Sequence, residues 1–229
     1  MKHGKQFENK KQTNQKIHSH YYSEVQSGKI VRSQIKAKLL GNDLLFNSSS
    51  GVFSKEHVDK GTQILIENSI IKDGWIVLDL GAGIGVVGIA VAKKYDCQVC
   101  MIEINKRAYD LSRENIRLNK LSEKILALQG NLYEPIEKKG VEKSFGKGFE
   151  KGVEFDTILL NPPQSAGKDI CIKMIEGAIN HLKKGGILQI VARHNKGGET
   201  LSKHMEQVFG NVSEIAKKSG FRVYISERI

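Results

Sequence analysis

The sequence has few cysteines, few prolines and no long apolar run. Its 229 residues include three cysteines and three prolines, and an odd, sparse set of cysteines makes a poor disulfide framework. No uninterrupted apolar stretch approaches the roughly 18 residues that a membrane span needs. The polar, basic start of the chain also lacks the apolar centre of a signal peptide. We therefore expect a cytoplasmic protein without a membrane span.

Metal-binding patterns are also missing. Cys97 and Cys100 form a CxxC, but they lie in "CQVCMIEI", which is typical of a buried strand. No second Cys or His pair follows at zinc-site spacing, and the seven histidines are scattered. We expect packed thiols and no metal site.

Positive charge is in excess. Lys and Arg outnumber Asp and Glu by 36 to 25, which gives a net charge of +11 and favours a polyanionic partner, either nucleic acid or an anionic membrane surface. Residues 1–19 hold five lysines, one glutamate and little apolar surface, so we expect a flexible basic tail. That tail either solubilises the protein or binds phosphates.

The rest of the chain predicts a single domain over residues 20–229. Its N-terminal extension, 20–72, shows short apolar patches with turns and then a helix-like run. From 73 to 229, apolar strands alternate with helices, which predicts an α/β fold with a mostly parallel, doubly wound sheet. Residues 137–154 carry five lysines and four glutamates, and we expect a mobile, solvated insertion there.

The loop after the first core strand has the composition of a nucleotide-binding turn. In "DLGAGIGVVG", residues 79–88, Gly83-x-Gly85-x-x-Gly88 matches the dinucleotide fingerprint, which several cofactor classes share. Glu103 closes the next strand, and 103 − 83 gives the 20-residue spacing at which a carboxylate binds ribose hydroxyls. An adenosine-containing cofactor is therefore expected.

Asp79 helps to separate the cofactors. A carboxylate just before the first glycine repels a pyrophosphate, whereas it attracts the cationic methionyl end of S-adenosylmethionine. The sequence thus favours the sulfonium cofactor over nicotinamide, and a nicotinamide oxidoreductase is a weaker alternative.

A second loop, "ILLNPPQ", has the pattern of an amine-binding turn. The strand ends at Asn161, and Pro162 and Pro163 stiffen the turn that follows. The Asn161 amide oxygen and the Pro162 carbonyl can both accept hydrogens from one exocyclic amine, which directs the nitrogen lone pair at a methyl group. A strand simply stopped by prolines is the alternative.

These motifs resemble a known family. "VLDLGAGIGVVGIAVA", Glu103 and "NPPQ" resemble motifs I, II and IV of class I S-adenosylmethionine-dependent amino-methyltransferases. "SGVFSKEHVDKGTQIL", at 50–65, is similar to the segment before the Rossmann-like core in the ribosomal RNA small-subunit methyltransferase C family, which makes N2-methylguanosine. "HYYSE", "NLYEP" and "FGNVSEI" resemble its archaeal branch.

The resemblance implies a Rossmann-like class I methyltransferase fold whose sheet ends in an antiparallel strand, for which "FRVYIS" is the candidate. Asn161 and Pro162 are expected to be catalytic. Phe53, Pro163 and Gln164 are expected near the target base. The implied cofactor-binding residues are Asp79, Gly81, Gly83, Gly85, Glu103, Ile104, Asn131, Leu132 and Thr62.

Two positions depart from the family pattern, and one basic surface adds to it. Gln164 replaces an aromatic residue common in N6-adenine and glutamine methyltransferases, and Asn131 replaces a common aspartate; both changes blur substrate identity. Residues 183–229 carry nine Lys or Arg against four Glu. Together with Lys168, basic residues such as Arg193 can form a positive rim for RNA.

We therefore expect an enzyme that methylates guanine N2 in RNA, with 16S-type ribosomal RNA ahead of transfer RNA. The runners-up are N6-adenine methylation and methylation of a protein glutamine. A non-catalytic RNA-binding scaffold is the alternative outside the enzymes. The target base has to be flipped or unpaired to reach the cofactor.

Overall fold

The structure of the protein is a computed structural model that includes the glycine loop, Glu103 and Asn161. The basic tail at 1–19, most of the 137–154 insertion, and Phe53, Pro163 and Gln164 lie outside the described residues. The residues that the structure describes are 31–52, 57–137, 152–162 and 167–229.

Within these ranges the chain forms nine strands and six α-helices, and strands and helices alternate through the core as predicted. No described helix is long and apolar enough to cross a membrane. The strands are β1 (Arg32–Leu39), β2 (Asn42–Ser49), β3 (Ile76–Leu80), β4 (Gln98–Glu103), β5 (Ile125–Gln129), β6 (Phe155–Leu160), β7 (Leu182–Arg193), β8 (Ser213–Lys218) and β9 (Phe221–Glu227). The helices are α1 (Lys60–Asn68), α2 (Val86–Lys94), α3 (Lys106–Leu118), α4 (Glu134–Glu137), α5 (Lys168–His181) and α6 (Gly198–Phe209).

Seven strands form one sheet in the order β5-β4-β3-β6-β7-β9-β8. The first five are parallel, and β9 is antiparallel to both β7 and β8. The predicted parallel sheet with "FRVYIS" as its antiparallel strand is therefore confirmed. Strand order reverses between β3 and β6, and the crevice beyond the carboxyl ends of two such strands is where ligands bind in this class of sheet.

The core lies on both faces of the sheet. Successive residues of a strand point to opposite faces, and fully buried Val77 and Leu78 accordingly belong to two different hydrophobic clusters. One cluster joins the sheet to α1, α2, α3 and the β1–β2 hairpin, and the other joins it to α5 and α6. This two-sided burial explains why the central strands are continuous apolar runs.

Two asparagines dock the β1–β2 hairpin onto α3. Asn119 donates to the carbonyl of Leu45 at 2.8 Å and accepts from its N–H at 3.2 Å. Asn115 makes the same pair of bonds to the backbone of Asn47 at 3.1 and 2.7 Å, and it also donates to the carbonyl of Ile84 in the glycine loop at 2.9 Å. The hairpin is thus hydrogen-bonded to the same side chain as the loop.

A buried glutamine fixes the segment that follows α1. Gln189, fully buried in β7, accepts from the Ile70 N–H at 2.9 Å and donates to the Ile70 carbonyl at 2.8 Å and to Thr157 Oγ1 at 2.9 Å. Because satisfied buried amides hold their partners in place, these bonds anchor α1 against the sheet. Helix α1 begins beside the site described next.

Candidate active site

The glycine loop leaves β3 at Leu80 and enters α2 at Val86. Gly81 has a φ of 76° and donates its N–H to the Ile102 carbonyl at 2.9 Å, and Gly85 caps α2 with a φ of 90°. Residues other than glycine rarely adopt backbone conformations in this left-handed region. The backbone conformation of this turn therefore favours glycine at positions 81 and 85.

The third glycine of the fingerprint, Gly88, has a different role. A Cβ there would lie 2.6 Å from Met101 Sδ and 2.9 Å from its Cγ. The absence of a Cβ at Gly88 lets α2 pack closely on β4. Close packing is the role of the third glycine in dinucleotide-binding turns.

Glu103 reaches the glycine loop directly. The residue is 7% exposed; Oε2 accepts from the Gly83 N–H at 2.8 Å and Oε1 accepts from the Asn105 N–H at 2.7 Å. Burial raises the pKa of Glu103, and N–H donors from Asn105, Gly83 and Ile104 oppose that shift. The structure therefore brings together Gly83 and Glu103, which the sequence assigned to one cofactor site from their spacing, with Ile104, which the resemblance added to that site.

Asp79 lies beneath the same loop. It is 3% exposed, and its Oδ2 accepts from the Gly88 N–H at 2.9 Å. Burial raises the pKa of Asp79 to about 7; the Gly88 N–H lowers it and the nearby Glu103 charge raises it. A nearby cation would shift this carboxyl toward its ionised form at neutral pH.

Asn131 and Leu132 follow β5 at the edge next to Glu103. The Gly130 N–H donates to the Glu103 carbonyl at 3.0 Å, which sets where the turn begins. Asn131 is exposed, and Leu132 has a φ of 50°, an unusual conformation for leucine. The predicted adenine-side residues thus lie beside the predicted ribose-side acid.

Tyr133 anchors this turn to the opposite helix. Its hydroxyl donates to the Met174 carbonyl at 2.6 Å, and its ring stacks on His181 with centroids 4.4 Å apart. A Cβ on Gly177 would lie 2.4 Å from Tyr133 Cε2. The "NLYEP" stretch therefore holds an anchoring contact that the sequence alone does not reveal.

Asn161, just after β6, is held by two oxygen atoms. Its Nδ2 donates to Asp59 Oδ2 at 3.0 Å and to Thr62 Oγ1 at 2.9 Å. The two acceptors lie side by side on the Nδ2 side of the amide, which leaves Oδ1 as an acceptor. Within the described ranges no hydrogen bond reaches that oxygen or the carbonyl of buried Pro162.

Asp59 is a site residue that sequence reasoning missed. It caps α1, accepting from the Gly61 N–H at 2.8 Å and the Thr62 N–H at 3.1 Å, and the Thr62 hydroxyl donates to the same carboxylate. An aspartate just before an apolar helical run is a recognisable N-cap. That signal reveals the cap, but not the contact with Asn161.

Two predicted substrate residues lie apart from this network. Lys168 begins α5 and is exposed, and Arg193 ends β7 with its guanidinium 4.7 Å from the centre of the Phe221 ring. A Cβ on Gly61 would lie 3.0 Å from Phe221 Cε1, so the stacked pair sits against the start of α1. In the part of the chain that the structure describes, no hydrogen bond joins either basic residue to Asn161.

No group of three or more His, Cys, Asp or Glu among the described residues is arranged to hold a metal ion. Cys97 and Cys100 are free and buried, and Cys100 lies in β4 as predicted. Burial raises the pKa of the Cys97 thiol to about 11 and raises that of Cys100 further. Both sulfurs are therefore held as thiols at neutral pH.

Comparison with known proteins gives a family match over most of the chain. The family described as Methyltransferase small domain matches residues 43–225. The uncharacterized protein YbxB of Bacillus subtilis is 32% identical over 92% of this chain and 98% of its own length. Ribosomal RNA small subunit methyltransferase C of Shewanella amazonensis is 29% identical over 86% of this chain and 53% of its own length, so this chain spans about half of that relative.

A solved structure shares the fold. The T. thermophilus 16S rRNA N2 methyltransferase, in complex with AdoMet and guanosine, superposes with a TM-score of 0.68 at 23% identity and covers 87% of this chain and 51% of its own. The Rossmann-like class I methyltransferase fold predicted from the sequence is therefore confirmed. The two relatives named above are bacterial, and the expected likeness to an archaeal branch stays a prediction.

Proposed function

This chain belongs to the Methyltransferase small domain family, and from that premise we propose that it methylates the exocyclic N2 amine of a guanine in RNA. S-adenosyl-L-methionine is the methyl donor, and 16S-type ribosomal RNA is the proposed substrate. Support for the substrate comes from the likeness to ribosomal RNA small subunit methyltransferase C and from the net charge of +11. Transfer RNA is the next substrate to test.

The observation that carries amine methylation is the orientation of Asn161. Its Nδ2 is engaged by Asp59 and Thr62, so its Oδ1 is available as an acceptor at the carboxyl edge of the sheet. Pro162 adds a carbonyl directly beside it. Two acceptors at one place suit an amine with two hydrogens.

The residues around the glycine loop fit the cofactor. The Glu103 carboxylate accepts backbone N–H groups at both oxygens and has lone-pair capacity left for a ribose hydroxyl. Asn131 and Leu132 would border the adenine. Asp79, at the strand end below the loop, would favour the cationic methionyl side. When bound, the cofactor supplies an electrophilic methyl group on a positively charged sulfur.

The chain's own contribution to the reaction is to orient and stabilise the amine. A nucleobase amine is a weak nucleophile because its lone pair is delocalised into the ring. Asn161 Oδ1 and the Pro162 carbonyl, by accepting both amine hydrogens, hold the lone pair in line and stabilise the positive charge that develops on nitrogen. No strong general base is required, because the amine proton becomes acidic only as the nitrogen is methylated.

Transfer from radiolabelled S-adenosylmethionine tests this function. Unmodified ribosomal RNA, transfer RNA and total protein are assayed in parallel, followed by nucleoside analysis, with wild type, Asn161→Ala and the control Asn42→Ala at the β1–β2 turn. We expect label in N2-methylguanosine from ribosomal RNA, lost in Asn161→Ala and retained in the control. Label in N6-methyladenosine or in protein glutamine would overturn the guanine assignment, and cofactor binding without transfer to any substrate would favour the scaffold alternative.

A further inference from the structure

We propose that Asp59 is a positioning residue whose carboxylate fixes the Asn161 amide with its acceptor oxygen toward the target amine. This inference rests on the proposed amine methylation at Asn161. The three side chains concerned form a closed set: Asn161 Nδ2 donates to Asp59 at 3.0 Å and to Thr62 at 2.9 Å, and the Thr62 hydroxyl donates to Asp59. The set joins the N-terminus of α1 to the end of β6.

Donor and acceptor chemistry favours one orientation of the amide in this set. An ionised carboxylate has no hydrogen to donate, and the Thr62 hydroxyl gives its single hydrogen to Asp59. Both oxygens therefore present lone pairs to Asn161. A flipped amide would place Oδ1 against two acceptors, so the assignment follows from donor and acceptor chemistry rather than from amide placement alone.

The orientation matters because the two ends of an asparagine amide act oppositely on an amine. Oδ1 accepts an amine hydrogen, whereas the Nδ2 group presents its own hydrogens and repels it. The carboxylate also polarises the amide through the Nδ2 bond, which makes Oδ1 a stronger acceptor as positive charge develops on the substrate nitrogen. Asp59 thus acts on the substrate through Asn161.

Asp59 also caps α1, so the test has to separate capping from positioning. Asp59→Asn keeps a favoured N-cap residue, but its one amide oxygen replaces only one of the two carboxylate oxygens. With that oxygen on the Gly61 N–H, its Nδ2 faces the Asn161 Nδ2. We expect kcat for RNA methylation to fall roughly 100-fold, as for other small misplacements of reacting groups. The Kd for S-adenosylmethionine should stay close to wild type, and the urea midpoint of unfolding, which reports the capping bond lost at the Thr62 N–H, should fall only slightly. Asp43→Asn, an exposed change of the same chemistry in β2, is the matched control.

A reciprocal exchange tests the donor and acceptor logic directly. In Asp59→Asn/Asn161→Asp, residue 59 becomes the donor and residue 161 keeps an acceptor oxygen for the amine, while the pair retains one negative charge. We expect the double variant to be about tenfold faster than either single variant, which is the size of coupling typical of directly bonded pairs. A double variant no faster than the slower single variant would contradict the proposal.

One readout does not depend on any RNA substrate. In ¹⁵N-labelled protein, the Asn161 side-chain amide resonances, assigned by their loss in Asn161→Asp, should exchange slowly with solvent in wild type and faster in Asp59→Asn. Unchanged exchange, or wild-type kcat in Asp59→Asn, would overturn the role of Asp59. If wild type methylates no substrate, the proposed function fails by itself, and the amide exchange still decides whether Asp59 holds Asn161.

Discussion

The Oε2 atom of Glu103 accepts a hydrogen bond from the Gly83 N–H at 2.8 Å. This bond joins the end of β4 to the middle of the glycine loop, two places that lie 20 residues apart in the chain. Because the carboxylate is fixed before any ligand arrives, its remaining lone pairs point in a defined direction. Such preorganisation reduces what binding costs.

Replacing this carboxylate should weaken cofactor binding. Glu103→Gln places an amide donor against the N–H of Gly83 or of Asn105, and it removes the charge. We expect the Kd for S-adenosylmethionine, measured by calorimetry, to rise about 10- to 100-fold, the range for loss of a hydrogen bond to a charged group. Glu206→Gln, at an exposed position of α6, is the control. An unchanged Kd in Glu103→Gln would remove Glu103 from the cofactor site.

The affinity for S-adenosylmethionine should increase as pH rises from 6 to 8. Burial raises the pKa of Asp79 to about 7, so the ionised fraction of this carboxyl grows through that window. Ionised Asp79 attracts the cationic cofactor and the neutral acid does not, so Kd should fall by up to about tenfold per pH unit below the pKa. Calorimetric titrations at several pH values measure this, and Asp79→Asn should flatten the profile. A wild-type profile that is already flat would contradict a charge role for Asp79.

Adding a methyl group at Gly177 should destabilise the fold. Alanine favours a helix by about 1 kcal/mol over glycine, but here its Cβ would lie 2.4 Å from Tyr133 Cε2. We expect Gly177→Ala to lower the free energy of unfolding by about 1–3 kcal/mol, typical of overpacking. Urea denaturation measures it. Cofactor affinity should weaken as well, because Tyr133 holds the turn that carries Asn131 and Leu132; a more stable variant would show that the ring moves freely aside.

Arg193 should contribute to RNA affinity and not to cofactor affinity. Its guanidinium stacks on Phe221 beside the start of α1, where it can bind a phosphate or a base. Arg193→Ala should weaken RNA binding and reduce the slope of log K against log salt by about 1. Arg193→Lys keeps the charge and loses stacking, so it should retain the slope, and Lys203→Ala on α6 serves as the exposed control. Equal losses of RNA affinity and cofactor affinity in Arg193→Ala would contradict a role of Arg193 in RNA binding alone.

Local signals in the sequence predicted most of the core. The strands around Val77, Leu78 and Leu159 are apolar because both their faces are buried, and a turn with glycines at positive φ can be recognised from composition. The 20-residue spacing of Gly83 and Glu103 likewise corresponds to a direct contact. Such features are short-range or follow a fixed motif length.

Other features depend on tertiary contacts that no local pattern encodes. Asp59 and Asn161 are 102 residues apart in the chain, and Ile70 and Gln189 are 119 apart. Strand β8 is almost wholly exposed, so it lacks the alternation that marks a half-buried strand. Helix α6 was also missed, although Leu201, Met205 and Phe209 recur every four residues on its buried face.

The asparagine contacts between α3 and the hairpin also bear on aggregation. An open strand edge with free N–H and C=O groups can add a strand from another chain, which leads to aggregation. Here the outward backbone groups of Leu45 and Asn47 are already bonded to Asn119 and Asn115. Side chains in α3 and at its C-cap therefore occupy this edge at Leu45 and Asn47, where a sheet would use another strand.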